Sequence, residues 1–312
     1  MLYPRGYFFY IALYEGTGAM VDSFFKYLQF ERRYSPKTIL SYQTDLHQFS
    51  EFLNTTYDEK KPERATYGAI RAWIVALVDL KLSPGSINRK IACLRSFFKF
   101  CMKQEVLEKD PMQKIRVLKT PKKLPHFVHE EDMAKLLDGI GFEDSLEGCR
   151  DRLIIELFYG TGIRLAELIG LKEHQVNLHE RTIRVLGKRN KERVIPFSKN
   201  IVSIIKAYQT KKDKEVGNKN HGLLFVNNSG EPVYPMMVYR LVRKYLDQFT
   251  AVEKRSPHVL RHSFATHLLN KGAEINAVKD LLGHTSLAAT QVYTHNSMEK
   301  LKKVFDQAHP KA

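Results

Sequence analysis

Apolar residues recur every three to four positions from Met20 to about Gln104, the period of helices that each bury one face. Phe24, Phe25 and Leu28 open the pattern. Ser35 followed by Pro36 is a helix-start signal, a hydroxyl N-cap ahead of a proline whose fixed φ suits the first helical position. Behind it Ile39, Leu40, Leu46, Phe49, Phe52 and Leu53 fall on one face. A third helix carries Ile70, Trp73, Ile74 and Leu77. Ser83-Pro84 repeats the start signal for a fourth, with Ile87, Ile91, Leu94, Phe97, Phe98 and Cys101 as its stripe. The pattern predicts a four-helix domain over residues 20–105. Arg89, Lys90, Arg95 and Lys99 lie off that last stripe, and two readings stand for each of them, solvated surface charge or contact with an anionic partner.

Periodicity then stops. Asp110, Pro111, Lys119, Pro121, Lys122, Lys123 and Pro125 make a proline-broken basic stretch, so residues 106–125 read as an exposed linker. A second, mixed α/β domain is expected over 126–312. It should hold helices around 130–138 and 147–159, a turn at Gly160-Thr161-Gly162, and a short helix beginning near Arg164. Thr182–Leu186 and Arg193–Phe197 are β-branched and apolar and flank the polar Gly187–Glu192, the signature of a β-hairpin with a long charged tip. Helices resume after it. Near the end, Met298, Leu301, Val304 and Phe305 share a face, predicting a short amphipathic helix over 297–307 that must dock in a groove. The fold class is therefore mainly α with a small β-sheet. Residues 1–19, where Arg5 precedes the apolar Tyr7–Tyr14, resemble a signal peptide only weakly and read as an extension outside the fold.

Composition narrows the partners. The chain has 312 residues, 50 Lys plus Arg against 34 Asp plus Glu, and a formal charge of +16. Residues 20–120 are net +7 and residues 121–312 net +9, so two basic bodies gripping one polyanion is the simplest picture. Cys93, Cys101 and Cys149 are odd in number and sit within helical patterns, which argues against a disulfide scaffold. No apolar run is long enough to span a bilayer, so a cytoplasmic protein without a membrane partner is expected.

Candidate chemistry is selected partly by exclusion. Gly187-Lys188 is followed by Arg189 rather than Ser or Thr, so no phosphate-binding loop of the nucleotide-hydrolysing kind is visible. Clustered carboxylates or spaced His and Cys ligands for a metal are missing as well. His258 and His262 are four apart, but no third ligand follows at a fitting spacing, and no cofactor is expected. The second domain does carry a scattered basic set. Metal-free attack on a DNA phosphodiester builds charge on two non-bridging oxygens, which guanidinium forks match, and Arg164 and Arg261 fit that clamp. The 5′ leaving oxygen needs a proton, for which Lys188 on the hairpin is the candidate. Tyr293 with His258 as base would supply the nucleophile.

These segments resemble those of the tyrosine site-specific recombinases, the lambda-integrase family. Tyr159-Gly-Thr-Gly-Ile-Arg164-Leu-Ala-Glu167-Leu resembles the segment with the family's first catalytic arginine and the acidic residue that orients it. Gly187-Lys188-Arg-Asn-Lys-Glu-Arg193 is similar to its lysine hairpin, His258-Val-Leu-Arg261 to its His-x-x-Arg helix, Leu281-Leu-Gly-His284 to its second histidine, and Tyr293-Thr-His295 to its nucleophile. Arg189 is a departure, since many members have glycine there.

The resemblance implies a helical, SAM-like core-binding domain followed by a catalytic domain, and catalytic residues Arg164, Lys188, His258, Arg261, His284 and Tyr293. His284 would support the phosphate, and Glu167 would act behind Arg164. His262 and His267 read as packing or supporting residues, and the remaining histidines are assigned no chemistry. Within the family the compact chain is most like the Xer recombinases that resolve chromosome dimers. That likeness implies a double-stranded recombination site as partner, and a tetramer on paired sites, homomeric or shared with a paralogous recombinase. A septal DNA translocase belongs to the same picture. The terminal helix would then be exchanged between neighbours, although docking on its own domain is the alternative. A mobile-element integrase and a non-catalytic DNA-binding module are the competing readings.

Overall fold

The computed structural model of the chain describes residues 18–121, 126–139, 141–186, 192–217, 222–250 and 252–283. It divides into two compact units at Lys123/Leu124. Among the described residues, the first unit holds four α-helices: α1 (Ala19–Lys26), continued by a π-turn over Tyr27–Glu31, then α2 (Pro36–Tyr57), α3 (Tyr67–Asp79) and α4 (Pro84–Lys103). Ser35 and Ser83 cap α2 and α4 as the sequence predicts, each hydroxyl accepting a backbone N–H three residues on, Thr38 and Ser86 respectively. Phe24, Phe49, Trp73, Ile91, Leu94 and Phe97 meet in one core.

Two expectations for this unit change. Lys90 is neither solvated nor free for an anionic partner, because α4 turns it inward, where its ammonium donates to Asp45 Oδ1 at 2.9 Å and to Gln48 Oε1. Asp45 is itself fully buried and also accepts from Arg89. A charge inside an apolar core is tolerated only when paired, so helical spacing alone could not place these residues. The stretch after α4 is also less exposed than its composition suggests. Met112 and Ile115 are buried against the first core. Asn88 clamps Leu118 through two hydrogen bonds, donating Nδ2–H to its carbonyl at 2.9 Å and accepting its N–H at 2.8 Å. Isolated apolar side chains anchored this way produce no periodic signal.

The second unit packs helices around a three-stranded antiparallel sheet in the order β1 (Val176–Asn177), β2 (Thr182–Leu186), β3 (Glu192–Pro196). The β2–β3 register pairs Leu186 with Glu192 and Thr182 with Pro196, so the predicted hairpin is present, offset by one residue in its second strand. β1 has two residues, too few to show alternation. The helices among the described residues are α5 (Glu130–Gly139), α6 (Leu146–Thr161), α7 (Leu165–Ile169), α8 (Lys199–Val216), α9 (Pro235–Phe249), α10 (Pro257–Asn270) and α11 (Ile275–Leu282). The main core gathers Leu153, Phe158, Ile163, Ile183, Ile195, Ile205 and Val242. A smaller cluster of Phe264, Leu268, Val278, Leu281 and Leu282 seats α11 on α10. Cys93 and Cys101 are buried free thiols, and Cys149 is half-buried. Residues 1–17, the hairpin tip Gly187–Lys191 and the helix expected over 297–307 lie outside the described residues.

The buried pair gives a direct test. Asp45→Ala leaves the Lys90 ammonium in the core without its carboxylate and should cost the first unit about 3–5 kcal/mol. Trp73, the chain's single tryptophan, lies in that core, so urea unfolding followed by its fluorescence reads this unit alone.

Candidate active site

Helix α6 runs buried through the second unit and ends at Thr161, two residues later than expected, because Gly160 is still helical and only Gly162 takes the left-handed conformation, φ 61°. No side chain fits there. A Cβ on Gly162 would lie 2.6 Å from Phe264 Cδ1 and 2.9 Å from Leu282 Cδ2. This close approach brings α6 against the α10–α11 pair and leaves the Gly162 carbonyl, at a helix end without an intrahelical donor, facing α10. Arg261 of α10 donates to it.

Arg164, two residues after Gly162, is the N-cap of α7. Its backbone N–H donates to Glu167 Oε2 at 2.8 Å, and its side chain donates to Glu167 Oε1 at 2.9 Å and to the Gly283 carbonyl at 2.8 Å. Arg261 donates a second bond to the Leu282 carbonyl at 2.6 Å. Thus the two arginines singled out from the sequence meet on adjacent carbonyls at the C-terminal end of α11. That end carries the negative pole of the helix and is a natural seat for guanidinium groups.

A third arginine, to which the sequence assigned no role, completes the cluster. Arg193 on β3 forks onto Glu167, at 2.5 Å to Oε1 and 2.7 Å to Oε2, and its Nε–H donates to the Leu281 carbonyl at 3.2 Å. Three successive carbonyls, Leu281, Leu282 and Gly283, therefore take one guanidinium each. The signal for Arg193 was present in the alternation of its strand. It shares the inward side with the fully buried Ile195, and a charge at an inward strand position demands a partner.

Electrostatically the cluster is unbalanced among the described residues, with Arg164, Arg193 and Arg261 facing the carboxylate of Glu167. Burial raises the pKa of Glu167, but hydrogen bonds and charge from Arg193, then Arg164, outweigh that and hold it below its ordinary value. The Arg261 pKa is pushed down to about 9, by burial first and then by the neighbouring Arg164 and Arg193. Each guanidinium has five N–H donors, and Arg164 and Arg261 each commit two side-chain bonds within this network. Among the described residues, donors and positive potential are left over that suit an anion.

His258 is exposed in the first turn of α10, three residues before Arg261 and so on the same side of the helix. His262 is half-buried, and burial lowers its pKa. His267 is a packing residue, buried with Nδ1 2.9 Å from the Tyr159 hydroxyl. Ser263 on the same helix accepts the Val128 N–H at 2.8 Å. Lys188, His284 and Tyr293 lie outside the described residues, which end at Leu186 before the hairpin tip and at Gly283 before His284.

The tight passage at Gly162 is open to test. Gly162→Ala combines a left-handed backbone with overpacking against Phe264 and Leu282 and should destabilise the second unit by about 1–3 kcal/mol. Calorimetry should show a lowered second-unit transition while the Trp73-reported transition of the first unit stays in place.

Known proteins resemble the chain over both units. Residues 126–300 match the profile of the phage integrase family, and residues 21–105 that of the phage integrase N-terminal SAM-like domain. Tyrosine recombinase XerC of Chlorobaculum parvum is 34% identical, with 94% of this chain and 94% of that protein covered. XerC of Staphylococcus carnosus is 38% identical, over 93% of this chain and 97% of its own. In a crystal structure of the XerH site-specific recombinase bound to palindromic difH substrate, a post-cleavage complex, the match is 26% identical with a TM-score of 0.67, covering 85% of this chain and 78% of that one. The Tn1549 transposon integrase shares the fold at 18% identity and a TM-score of 0.66, over 91% and 98% of the two chains. With both of its halves matched in order, the chain belongs to the phage integrase family of tyrosine recombinases.

Proposed function

We propose that this recombinase cuts and rejoins DNA at a specific site through a 3′-phosphotyrosyl intermediate and a Holliday junction, and that it resolves chromosome or plasmid dimers. The observation that carries the reading is the convergence of Arg164 and Arg261 on adjacent carbonyls, backed by Glu167 and with donors to spare. A scissile phosphate held between two such forks has its non-bridging oxygens neutralised as charge develops on them. The likeness to proteins named XerC, and to XerH on its difH substrate, supports the dimer-resolution assignment.

In this scheme Tyr293 attacks the phosphorus while His258, exposed one turn before Arg261, takes its proton. Lys188 protonates the departing 5′ oxygen, and His284 adds a donor to the phosphate. The phosphotyrosyl bond conserves the energy of the broken ester, so the 5′ hydroxyl of a partner strand reverses the step. The first unit acts as the core-binding domain and the second as the catalytic domain, two monomers to each site and four to a synapse. A paralogous recombinase as second subunit, a septal DNA translocase as regulator and a cytoplasmic location complete the picture.

The test is capture of a covalent protein–DNA adduct on a nicked substrate whose released strand diffuses away. Tyr293→Phe should bind the site as the wild type does and form no adduct, since only the attacking oxygen is lost; an adduct in this variant would refute the assignment. Lys188→Ala should cleave slowly and be rescued by sulfur at the bridging 5′ position, because a thiolate leaves without a proton. Failure of rescue would move the general acid to another residue.

A further inference from the structure

Arg193 is 4% exposed and commits its guanidinium to Glu167 and to the Leu281 carbonyl. Fork-to-fork pairing leaves a carboxylate almost no orientational freedom. Because Arg193 grips both oxygens, Oε1 is held where Arg164 Nη1 reaches it and Oε2 where the Arg164 backbone N–H reaches it. The route of the side chain is equally constrained. It passes under Gly283, where φ is 61° and a Cβ would lie 2.9 Å from Arg193 Cδ and 3.1 Å from Nη1. Glycine is thus required at 283 both for the left-handed cap of α11 and for the passage of Arg193.

Stability alone gives little reason for this arrangement, since well-packed apolar groups can replace a buried ion pair without loss. Position gives a better one. Arg193 is the second residue of β3, the strand that leads out of the Lys188 tip. Leu281 belongs to the last turn of α11, which leads through Gly283 into His284. Glu167 stands between them and holds Arg164. We propose that Arg193 is a positioning residue for strand cleavage: it sets Glu167 against Arg164 and ties the strand leaving the Lys188 tip to the helix end entering His284. The proposal rests on the catalytic assignments given under Proposed function.

The full chain with Arg193→Gln or Arg193→Lys separates this role from a bracing one. Half-site binding is measured by titration, and adduct formation on the nicked substrate in single turnover, from pH 6 to 9, with wild type and Tyr293→Phe alongside. The glutamine variant should keep half-site affinity while adduct formation falls about 10²-fold, the usual cost of slightly misplaced reacting groups. Lysine keeps the charge and one bond but not the fork, so its rate should fall between those of wild type and the glutamine variant.

The pH arm adds a signature that bracing would not produce. Arg164, Arg193 and Arg261 are the charged groups that face Glu167 among the described residues. Without Arg193, burial raises the Glu167 pKa and the carboxyl gains a proton as pH falls, losing its bond to Arg164. Protonation of the general base His258 slows wild type and variant alike as pH falls, so the signature is the ratio of the glutamine-variant rate to the wild-type rate, which should fall further toward pH 6. Unchanged cleavage in both variants overturns the proposal, and so does a parallel loss of binding and cleavage. If the glutamine variant does not fold, the lysine variant is judged by the same ratio. Should the wild type form no adduct, the catalytic reading falls and takes this inference with it; wild-type adduct with indifferent Arg193 variants removes this inference alone.

Discussion

Among the described residues, the carboxylate of Glu167 is the one negative charge that the three guanidiniums share, and the geometry of the second unit's site depends on it. Arg193 and Arg164 both bond it, and they reach it from β3 and from the start of α7. Buried arginines without an anion would repel one another and be costly to desolvate. One carboxylate is enough to hold the cluster together and too little to neutralise it. The residual positive charge is of the kind that an anion such as a phosphodiester can satisfy.

Helix ends provide the rest of the frame. The last carbonyls of a helix have no intrahelical donors and carry the negative end of its dipole. The protein uses this twice, at Gly162 after α6 and over Leu281–Gly283 after α11, and in both places a left-handed glycine ends the helix. The arginines cap these ends, and the caps in turn aim the arginines. Scaffold and functional group are the same atoms here, which is why a methyl group at Gly162 or Gly283 would disturb both.

The buried charges of the first unit are arranged to a different end. Asp45 there accepts from Lys90 and Arg89, and Lys90 also donates to Gln48, so the group joins α2 to α4. Both units place basic residues inside, but in the second, among the described residues, three guanidiniums share one carboxylate.

The helices, their caps, the hairpin and the two-part organisation were legible in the sequence, because spacing, hydroxyl-proline starts and alternation are local properties of the chain. The candidate arginines were legible too, each within its own short motif and in an order that resembles the family. Local pattern could not say that Lys90 points inward, that Met112 and Ile115 anchor a stretch that looks like free linker, or that two-residue β1 pairs with β2. Nor could it name the partners of Arg193, although strand alternation marks it as inward: Glu167 lies 26 positions away along the chain and Leu281 lies 88. Partners so far apart are chosen by where α6, α7, β3 and α11 pack, and burial then decides whether a charged side chain must bond within the protein or is left for DNA. The sequence determined which elements form and which side chains have the chemistry. Only the tertiary structure decided which of those charges meet, because pairing inside a low-dielectric interior depends on distances of a few ångströms that no spacing along the chain encodes.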